Sequence, residues 1–475
     1  MIYNMHRTVR LLKSNVLNLS HDPYAYQNDL LKKQINNIRN SSKKKFESSS
    51  LWEKSIRNCL HYLRPGFSLL HPYIQPILDY KYDNQVAKAV NIHDMRKIAN
   101  KRSHNMVFQY LDGGADDEHA LNRSTSAYKN IEFRHAVLHG VSKHDIQLET
   151  TILGHKSALP FLFSSCAGQK MFHADGESAV AKAAHDNNIQ MALSQLTTTS
   201  FDEVASIAPN NCKILQLYVW KDKTLLSEVL KNAINNGFTS LVLTADFSWV
   251  GNRERETKSE FTIPPKYTTK QCIDALLSPA WTYDYISRKP YGYAAIPGAD
   301  FAAESLVDFI NQQMKAEFNW CDAKWLVKEW KELGGEKCAL KGVSSSDDAK
   351  KAISIGFDTI WISNHGGRQL DYSVPTIETL PEIRRTIGNE TEIIIDGGIR
   401  RGIDIIKSLA LGADSVAIGR GYLYGLAAGG YKGVDKIINI LRKDIELGMG
   451  LLGCTNINEL KQKSNNIIVY NNSRY

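Results

Sequence analysis

The chain has 475 residues, 43% of them hydrophobic and 23% charged, a balance typical of globular proteins. Its seven cysteines include no Cys-x-x-Cys pair, which argues against a disulfide framework or a metal site and favours a reducing compartment. The net charge of +8 resides in residues 1–90, which contain 14 Lys/Arg and 6 Asp/Glu, so the remaining body is formally neutral and a nucleic-acid partner is not supported.

The first 90 residues are predicted to form a basic N-terminal extension. Residues 1–21 contain Arg7, Arg10 and Lys13 and no acid, which resembles a mitochondrial presequence. The alternative is a disordered basic start on a protein that is cytoplasmic or peripheral on the cytoplasmic membrane. Residues 38–50 are rich in serine and lysine and are typical of a linker. We therefore expect deletion of residues 1–85 to leave the body of the protein intact.

From residue 158 onward, short apolar segments alternate with amphipathic ones, as strands and helices do in α/β proteins. Eight such strands predict a (β/α)8 TIM barrel over residues 91–460, followed by a C-terminal tail over 461–475. An open doubly wound sheet is less favoured, because no Gly-x-Gly-x-x-Gly follows the first strand. The predicted strands are Leu159–Ser164, Ile189–Ser194, Ile214–Val219, Ser240–Thr244, Lys337–Leu340, Thr359–Ser363, Glu392–Ile395 and Ser415–Ile418. The predicted helices include Glu177–His185, Thr224–Asn235, Ser346–Ile355 and Gly402–Leu411.

Polar or ionisable residues stand at the C-terminal ends of all eight predicted strands. A barrel enzyme keeps its active site at the C-terminal ends of its strands, so these residues are expected to converge. In chain order they are Ser165 and Cys166, Ser194 and Gln195, Gln216 and Tyr218, Thr244 and Asp246, Lys341, Ser363 with His365 and Arg368, Asp396 with Arg400, and Gly419 with Arg420.

Three of these strand ends carry distinctive chemistry. In the segment Ser363–Asp371, a histidine that can move a proton near neutral pH stands beside an arginine that can hold a carboxylate. The segments Asp396–Gly402 and Gly419–Gly421 each place glycines and arginines at the start of a helix, which favours anion binding. Barrels commonly bind phosphate between these last two loops.

With these motifs in place, the chain from Asn91 to Glu459 closely resembles the FMN-dependent 2-hydroxy acid oxidases and dehydrogenases. This group includes glycolate oxidase, L-lactate dehydrogenase and mandelate dehydrogenase. The resemblance is carried by the segments Ser363–Asp371, Asp396–Gly402, Gln216–Tyr218 and Leu243–Asp246, in family order. It implies FMN as the cofactor and a homo-oligomer, a tetramer, as the assembly.

The resemblance also implies roles for the residues that would act on the substrate. His365 matches the base that takes a proton while the substrate passes two electrons to the flavin, whether as a hydride or through a carbanion. Asp246 matches the carboxylate that orients this histidine. Four further residues match the groups that hold the substrate carboxylate, namely Arg253, Arg368, Tyr110 and Tyr218.

Flavin contacts are implied in the same way. Lys341 matches the lysine that stabilises the reduced flavin, and Asp396 matches the contact to the ribityl chain. The remaining matches are, for the backbone after the first strand, Ser165, Cys166 and Ala167; for the ring, Ser194, Gln216, Thr244 and Ser363; and for the phosphate, Gly397, Gly398, Arg400, Gly419 and Arg420.

Two features depart from the family pattern. The family's Pro-Thr-Ala appears as Ser165-Cys166-Ala167, which keeps backbone contacts but not a threonine side chain. Leu196 stands where glycolate oxidase has a tryptophan facing the substrate, which points to a short aliphatic substrate such as L-lactate.

A long insertion separates the fourth and fifth predicted strands, with 94 residues between Asp246 and Lys341. It is rich in aromatics, for example in Pro279–Tyr285 and Asn319–Asp322, with Tyr291, Tyr293 and Phe301 between them. Such residues either contact a membrane interface or pack on the barrel as a lid.

Three alternatives to the preferred function remain. The preferred enzyme passes electrons from L-lactate to a quinone or cytochrome-type acceptor, whereas an oxidase would pass them to O2 and release hydrogen peroxide. A Schiff-base aldolase acting through Lys341 is a remote alternative, because it leaves Gln216, Asp246 and the two carboxylate-binding arginines without a joint purpose. A binding protein without activity is the last, although none of the family's catalytic residues is missing.

Overall fold

A computed structural model describes residues 51–262, 268–288, 292–295 and 316–471 of the chain. The predicted presequence and linker lie outside these residues, as do Tyr291 and Phe301 of the insertion. Within them, no helix combines the length and the apolarity that a bilayer crossing requires.

The core of the molecule is a closed barrel of eight parallel strands, which confirms the predicted fold class. Each strand pairs with its neighbour in chain order, and the last, Ser415–Ile418, pairs with the first, Phe161–Phe163. Six boundaries, in five of the strands, differ from the prediction by one to three residues, and the largest difference is in the fifth strand, which runs to Val343 instead of Leu340. The barrel strands are Phe161–Phe163 (β4), Gln190–Ser194 (β5), Ile214–Leu217 (β6), Ser240–Thr244 (β7), Lys337–Val343 (β8), Thr359–Ile362 (β9), Glu392–Ile395 (β10) and Ser415–Ile418 (β11).

One buried apolar side chain from each barrel strand forms the packed centre of the barrel. Ile152 and Leu153 join them from a hairpin made of β2, Thr150–Ile152, and β3, His155–Ser157. The backbone N–H of Leu153 donates to Glu392, the first residue of β10, so the hairpin closes the N-terminal end of the barrel. The open C-terminal end is left for a site. The strand residues in this layer are Leu162, Ala192, Ile214, Val242, Ala339, Trp361, Ile394 and Ala417.

Helices surround the barrel, and two further strands pair outside it. Residues 461–470 of the predicted tail are packed on the body, because the last helix, Ile457–Ile467, crosses residue 460 and the last strand, Ile468–Tyr470, pairs antiparallel with Ile131–Phe133. The outer strands are Ile131–Phe133 (β1) and Ile468–Tyr470 (β12). The helices are Leu51–Lys88 (α1), Ile92–Arg102 (α2), Asn105–Asp112 (α3), His119–Ser126 (α4), Gly176–Asp186 (α5), Phe201–Ile207 (α6), Lys223–Asn235 (α7), Glu254–Lys258 (α8), Thr269–Leu277 (α9), Pro279–Ser287 (α10), Trp320–Glu332 (α11), Ser346–Ser354 (α12), Thr376–Ile387 (α13), Gly402–Ala410 (α14), Arg420–Leu451 (α15) and Ile457–Ile467 (α16).

The second half of the basic extension forms helix α1, which packs on helix α10 of the insertion. Fully buried Arg102 lies between the two, with its Nε 2.8 Å from Asp79 of α1 and its Nη2 3.6 Å from Asp284 of α10. His71 of α1 lies 3.1 Å from the same Asp284 carboxylate. The structure therefore ties α1 to the body, which argues against the expectation that residues 1–85 are dispensable.

The insertion between β7 and β8 contributes helices α8 to α11. Three of its described aromatic side chains pack on protein, whereas Trp249 is 79% exposed. Trp281 is 5% exposed and donates from Nε1 to the Met171 carbonyl. Tyr283 donates to the Phe67 carbonyl of α1, and Tyr293 is 8% exposed. For these residues, packing on the barrel and on α1 is favoured over contact with a membrane.

Candidate active site

The polar residues at the strand ends meet in one cavity at the C-terminal end of the barrel, as the sequence predicts. Sixteen of the twenty predicted site residues line this cavity. The other four lie directly behind it and hydrogen bond toward it. The lining residues are Tyr110, Ser165, Cys166, Ala167, Tyr218, Thr244, Arg253, Lys341, His365, Arg368, Asp396, Gly397, Gly398, Arg400, Gly419 and Arg420. The four behind them are Ser194, Gln216, Asp246 and Ser363.

His365 and Asp246 form a hydrogen-bonded pair on the wall of the cavity. His365 follows β9 and Asp246 follows β7, and the distance from His365 Nδ1 to Asp246 Oδ1 is 2.9 Å. Burial acts to raise the pKa of Asp246, but His365 and Lys341 outweigh it and hold this pKa below its usual value. The ionised carboxylate therefore accepts Nδ1–H, which leaves Nε2 as the basic nitrogen.

Burial lowers the pKa of His365 below its usual value, and the Asp246 carboxylate opposes this effect. The imidazole is therefore neutral at physiological pH and able to take a proton. The backbone of His365 has a φ of 54°, in the left-handed region that few non-glycine residues adopt. Its N–H donates to the Ser363 hydroxyl at 3.1 Å, which supports this turn at the end of β9.

Two arginines approach the cavity from different parts of the chain and share one carboxylate. Arg368 donates from Nη2 to Glu256 of α8 at 2.7 Å, and Arg253 lies 3.6 Å from the same oxygen. Arg368 also donates from Nη1 to the Tyr110 and Gly113 carbonyls. Its Nε–H and one Nη2–H have no partner among the described residues, so these donors can bind a substrate carboxylate.

Lys341 is buried at the end of the cavity nearest the barrel centre. Its Nζ donates to the Ser363 hydroxyl at 2.9 Å and lies 3.5 Å from Asp396. Burial alone lowers its pKa, but Asp396 and Asp246 outweigh burial and raise the pKa above its usual value. The ammonium is therefore a fixed positive charge and not a neutral amine.

A chain of hydrogen bonds links three neighbouring strand ends behind the cavity. Ser194 at the end of β5 donates to Gln216 at 3.0 Å, and Gln216 donates to Thr244 of β7 at 2.9 Å. All three side chains are buried, and Thr244 lines the cavity. The chain holds the Thr244 hydroxyl in one orientation toward whatever the cavity binds.

The loops after β10 and β11 form a cationic corner. Arg420 donates to the Leu111, Gly113 and Gly366 carbonyls, and Arg400 to the Ile399 carbonyl. Neither guanidinium forms an ion pair with a carboxylate in the described part of the chain. Burial, with Arg368 and Arg400 nearby, lowers the pKa of Arg420 to about 10.

Two glycines complete this corner. Gly397 and Gly398 have φ of 100° and 78°, and a side chain at Gly398 would collide with the Ser124 carbonyl. Half-buried cations without a carboxylate partner are costly, so the corner favours an anion. A phosphate group beside Arg400 and Arg420 would supply this anion. The residues present therefore fit a cofactor that carries a phosphate group.

Two residues of the site, Glu256 and Tyr293, are not among those predicted from the sequence. Glu256 was not predicted because the family motif includes only Arg253 and Arg368, the two arginines with which it pairs. Its position three residues after Arg253 is the sequence signal that points to this pairing. Tyr293 comes from the insertion and lines the cavity together with Leu196 and Tyr218. The neighbouring Ala294 N–H donates to the Thr197 carbonyl at 2.8 Å, which fixes this part of the insertion over the barrel mouth.

Comparison with known proteins identifies this arrangement. The sequence profile of the FMN-dependent dehydrogenases matches residues 99–466. The chain belongs to this family. FMN is its cofactor, and the protein is an FMN-dependent enzyme that oxidises a 2-hydroxy acid.

Individual relatives act on different hydroxy acids. The chain is 35% identical over 80% of its length to glycolate oxidase 1 of Zea mays, covering 96% of that protein. It is 35% identical over 79% of its length to L-lactate oxidase of Nostoc sp., covering 97% of it. The crystal structure of the monotopic membrane protein (S)-mandelate dehydrogenase superposes with a TM-score of 0.75 at 32% identity, covering 80% of this chain and 99% of that one.

Proposed function

We propose that this FMN-dependent enzyme oxidises an L-2-hydroxy acid, L-lactate, to the 2-oxo acid and passes the electrons to a quinone or cytochrome-type acceptor. The observation that carries the proposal is that a neutral histidine oriented by Asp246 lines the same cavity as Arg253 and Arg368. A carboxylate held by two arginines and a proton acceptor beside it are what a 2-hydroxy acid requires.

The protein's own residues would bind and orient the substrate. Arg368 and Arg253 would hold the substrate carboxylate, and the hydroxyls of Tyr110 and Tyr218 would donate hydrogen bonds beside it. Burial raises the pKa of both tyrosines, so each keeps its proton as a donor. Holding the carboxylate at two points fixes the α-carbon with respect to the rest of the site.

His365 would take the proton that the substrate loses, at Nε2. Asp246 would accept the Nδ1–H hydrogen bond throughout and stabilise the imidazolium that forms. FMN, when bound, supplies the two-electron acceptor for this oxidation. The fixed charge of Lys341 would favour negative charge at the inner end of the cavity.

The cofactor would be held along the strand ends. The backbone of residues 165–167 and the Thr244 hydroxyl would contact the ring, with Ser194, Gln216 and Ser363 behind them. Asp396 would contact the ribityl chain. Gly397, Gly398, Gly419, Arg400 and Arg420 would hold the phosphate.

The cavity supports a short substrate side chain. Leu196, 8% exposed, stands at the position of a tryptophan in glycolate oxidase, which would leave room for a substituent. Tyr293 and Phe172 line the same cavity and limit that room. A methyl group, as in lactate, fits between these constraints better than a phenyl group.

The proposal is tested by anaerobic titration of the purified holoenzyme. We expect the flavin absorbance to bleach with L-lactate at lower concentrations than with glycolate or (S)-mandelate, and not with D-lactate. Faster bleaching with mandelate than with L-lactate would contradict the lactate assignment while leaving the reaction class intact.

The second candidate is an oxidase that uses O2, and similarity to L-lactate oxidase of Nostoc sp. favours it. The same enzyme assayed in air separates the two. We expect little hydrogen peroxide and rapid reoxidation by a water-soluble quinone or by cytochrome c. Stoichiometric peroxide at the turnover rate would make the enzyme an oxidase.

An aldolase acting through Lys341 has little support. A Schiff base needs a neutral amine, and the raised pKa of Lys341 keeps this ammonium protonated. Treatment with borohydride in the presence of an aldehyde or ketone substrate should leave Lys341 unmodified by mass spectrometry.

Two further assignments concern the whole protein. A mitochondrial location is proposed from residues 1–21 alone, and a cytoplasmic or peripheral membrane location is its alternative. A homotetramer is proposed from the family resemblance. Fluorescent tagging of the full chain and light scattering of the purified enzyme test these two assignments separately.

A further inference from the structure

The outward face of helix α1 carries large apolar side chains, which a surface helix usually directs toward the core. In most surface helices the apolar residues face the core and the polar ones face water. Six large apolar side chains of α1 are instead between 51% and 80% exposed. They are Tyr62, Leu69, Leu70, Tyr73, Ile77 and Tyr80.

These side chains form one continuous stripe. Four of them recur at intervals of seven, four and seven residues and therefore lie on the same side of the helix, namely Tyr62, Leu69, Tyr73 and Tyr80. Ile77 extends the stripe along its edge. We call these five residues the α1 stripe.

The opposite face of α1 carries half-buried Phe67, Ile74 and Leu78 together with polar residues, and hydrogen bonds fix it to the body. Arg64 donates to the Ile286 carbonyl at 3.0 Å, and Gln75 to the Ala280 carbonyl at 3.0 Å. His71 and Asp79 contact the buried pair of Asp284 and Arg102. Rotating the helix to bury the stripe would break these contacts, so the outward orientation of the stripe is built into the fold.

The part of the chain that leads into the stripe is basic. No acidic residue lies between Glu53 and Asp79, and the 50 residues that precede α1 contain nine Lys/Arg and three Asp/Glu, a net charge of +6. Residues 1–90 as a whole carry a net charge of +8. An apolar stripe rich in tyrosine, set in a basic segment, matches the interface of a bilayer that contains anionic lipids.

We propose that α1 is a lipid-binding surface, which lies in the plane of an anionic membrane with the α1 stripe inserted among the headgroups. The described helices cannot span a bilayer, which fits attachment to one face only. A second exposed apolar group, Ile273, Leu276 and Leu277, lies on α9, next in the chain to the helix on which α1 packs.

A second copy of the chain is the other candidate occupant of the stripe. Pairing two copies through α1 would bring two strongly basic extensions together, and their like charges would repel. An anionic lipid surface attracts the same charges. Charge therefore favours the membrane.

The test uses the full-length holoenzyme and sedimentation with vesicles of phosphatidylcholine, with or without phosphatidylserine, and no substrate. We expect binding to the phosphatidylserine vesicles that weakens as salt increases. The variant Leu69→Gln/Tyr73→Gln/Ile77→Gln should bind at least about tenfold more weakly, because it removes apolar contacts with the headgroup region. The control Leu447→Gln/Leu451→Gln removes exposed apolar residues of α15 and should bind like the wild type.

Flavin content and anaerobic bleaching show whether each variant is folded, and the single variant Tyr73→Glu gives a second test with a smaller change. Sedimentation without substrate keeps this proposal separate from the assignment of L-lactate. The proposal is overturned if the wild type stays in the supernatant, or if both stripe variants bind like the wild type. It is also overturned if the wild type does not bind vesicles and light scattering shows a lower oligomer mass for the stripe variants. The stripe would then be an interface between copies of the chain.

Discussion

Glu256 accepts a hydrogen bond from Arg368 at 2.7 Å, although 112 residues separate the two in the chain. This contact holds the arginine at the cavity in a fixed position while leaving two of its donors without a partner among the described residues. The carboxylate also lies 3.6 Å from Arg253, so one acidic side chain orients both arginines proposed to bind the substrate.

The two arginines should be needed for binding and for rate. We expect Arg253→Met or Arg368→Met to raise KM and to slow flavin reduction by on the order of 10²-fold, because a displaced carboxylate misplaces the α-carbon. Lysine at either position should rescue only partly, since an ammonium lacks the planar fork of a guanidinium. Stopped-flow measurement of flavin reduction at varied substrate concentration gives the changes in binding and in rate. Full activity of the lysine variants would refute the proposal that the two guanidinium groups hold the substrate carboxylate.

Glu256 should act by positioning Arg368 and not by touching the substrate. We expect Glu256→Gln to raise KM by about tenfold, because a hydrogen bond to a charged group is weakened, with a much smaller change in kcat. Glu256→Asp, which retains the charge, should restore part of the lost affinity. A large loss of kcat with unchanged KM would instead place this carboxylate in the chemical step.

His365 should be required for proton transfer and not for cofactor binding. We expect His365→Ala to keep its flavin and to lose on the order of 10²–10⁴-fold in the rate of reduction. Because burial lowers the pKa of His365, reduction by the wild type should fall only below pH 6.5. Asp246→Asn removes the charge that opposes this lowering, so its midpoint should shift to still lower pH and its maximal rate should fall. A midpoint that rises in Asp246→Asn would contradict the assigned pairing.

Tyr293 should restrict the size of the substrate. We expect Tyr293→Ala to raise kcat/KM for (S)-mandelate relative to L-lactate by roughly 10–100-fold, because it removes a bulky group from the cavity wall. Tyr293→Phe keeps the ring and serves as the control, with a ratio close to that of the wild type. Equal ratios in all three proteins would show that Tyr293 does not face the bound substrate.

The ion pair between Asp79 and Arg102 should make α1 essential for stability. Arg102 is fully buried, so Asp79→Ala would remove one of the two carboxylates near its guanidinium. We expect this change to lower the free energy of unfolding by about 3 kcal/mol. By the same argument, deletion of residues 1–50 should be tolerated and deletion of residues 1–85 should lower the soluble yield. Urea unfolding of the variants gives the cost, with the exposed Asp186→Ala as the control. If the urea midpoint of Asp79→Ala were unchanged, α1 would be dispensable for stability.

The barrel and most of its site were predictable from the sequence because both rest on local signals. Short apolar segments mark strands wherever they occur, and parallel strands in a barrel must bring their C-terminal ends together. Lys341, His365 and Asp396 could therefore be assigned to one cavity without any knowledge of their distances. The family motifs added Arg253 and Tyr110, which do not follow a strand directly.

Contacts between distant segments needed the tertiary structure. Glu256 and Tyr293 belong to the long insertion, where the alternation of strands and helices does not predict their positions. Tertiary packing alone brings them to the cavity. The orientation of α1 is decided in the same way. Apolar residues occur on more than one side of α1, so the hydrophobic pattern alone does not decide which side faces the body. The buried charges of Arg102 and Asp284 decide it, because a buried ion pair must be completed by polar partners such as Asp79 and His71.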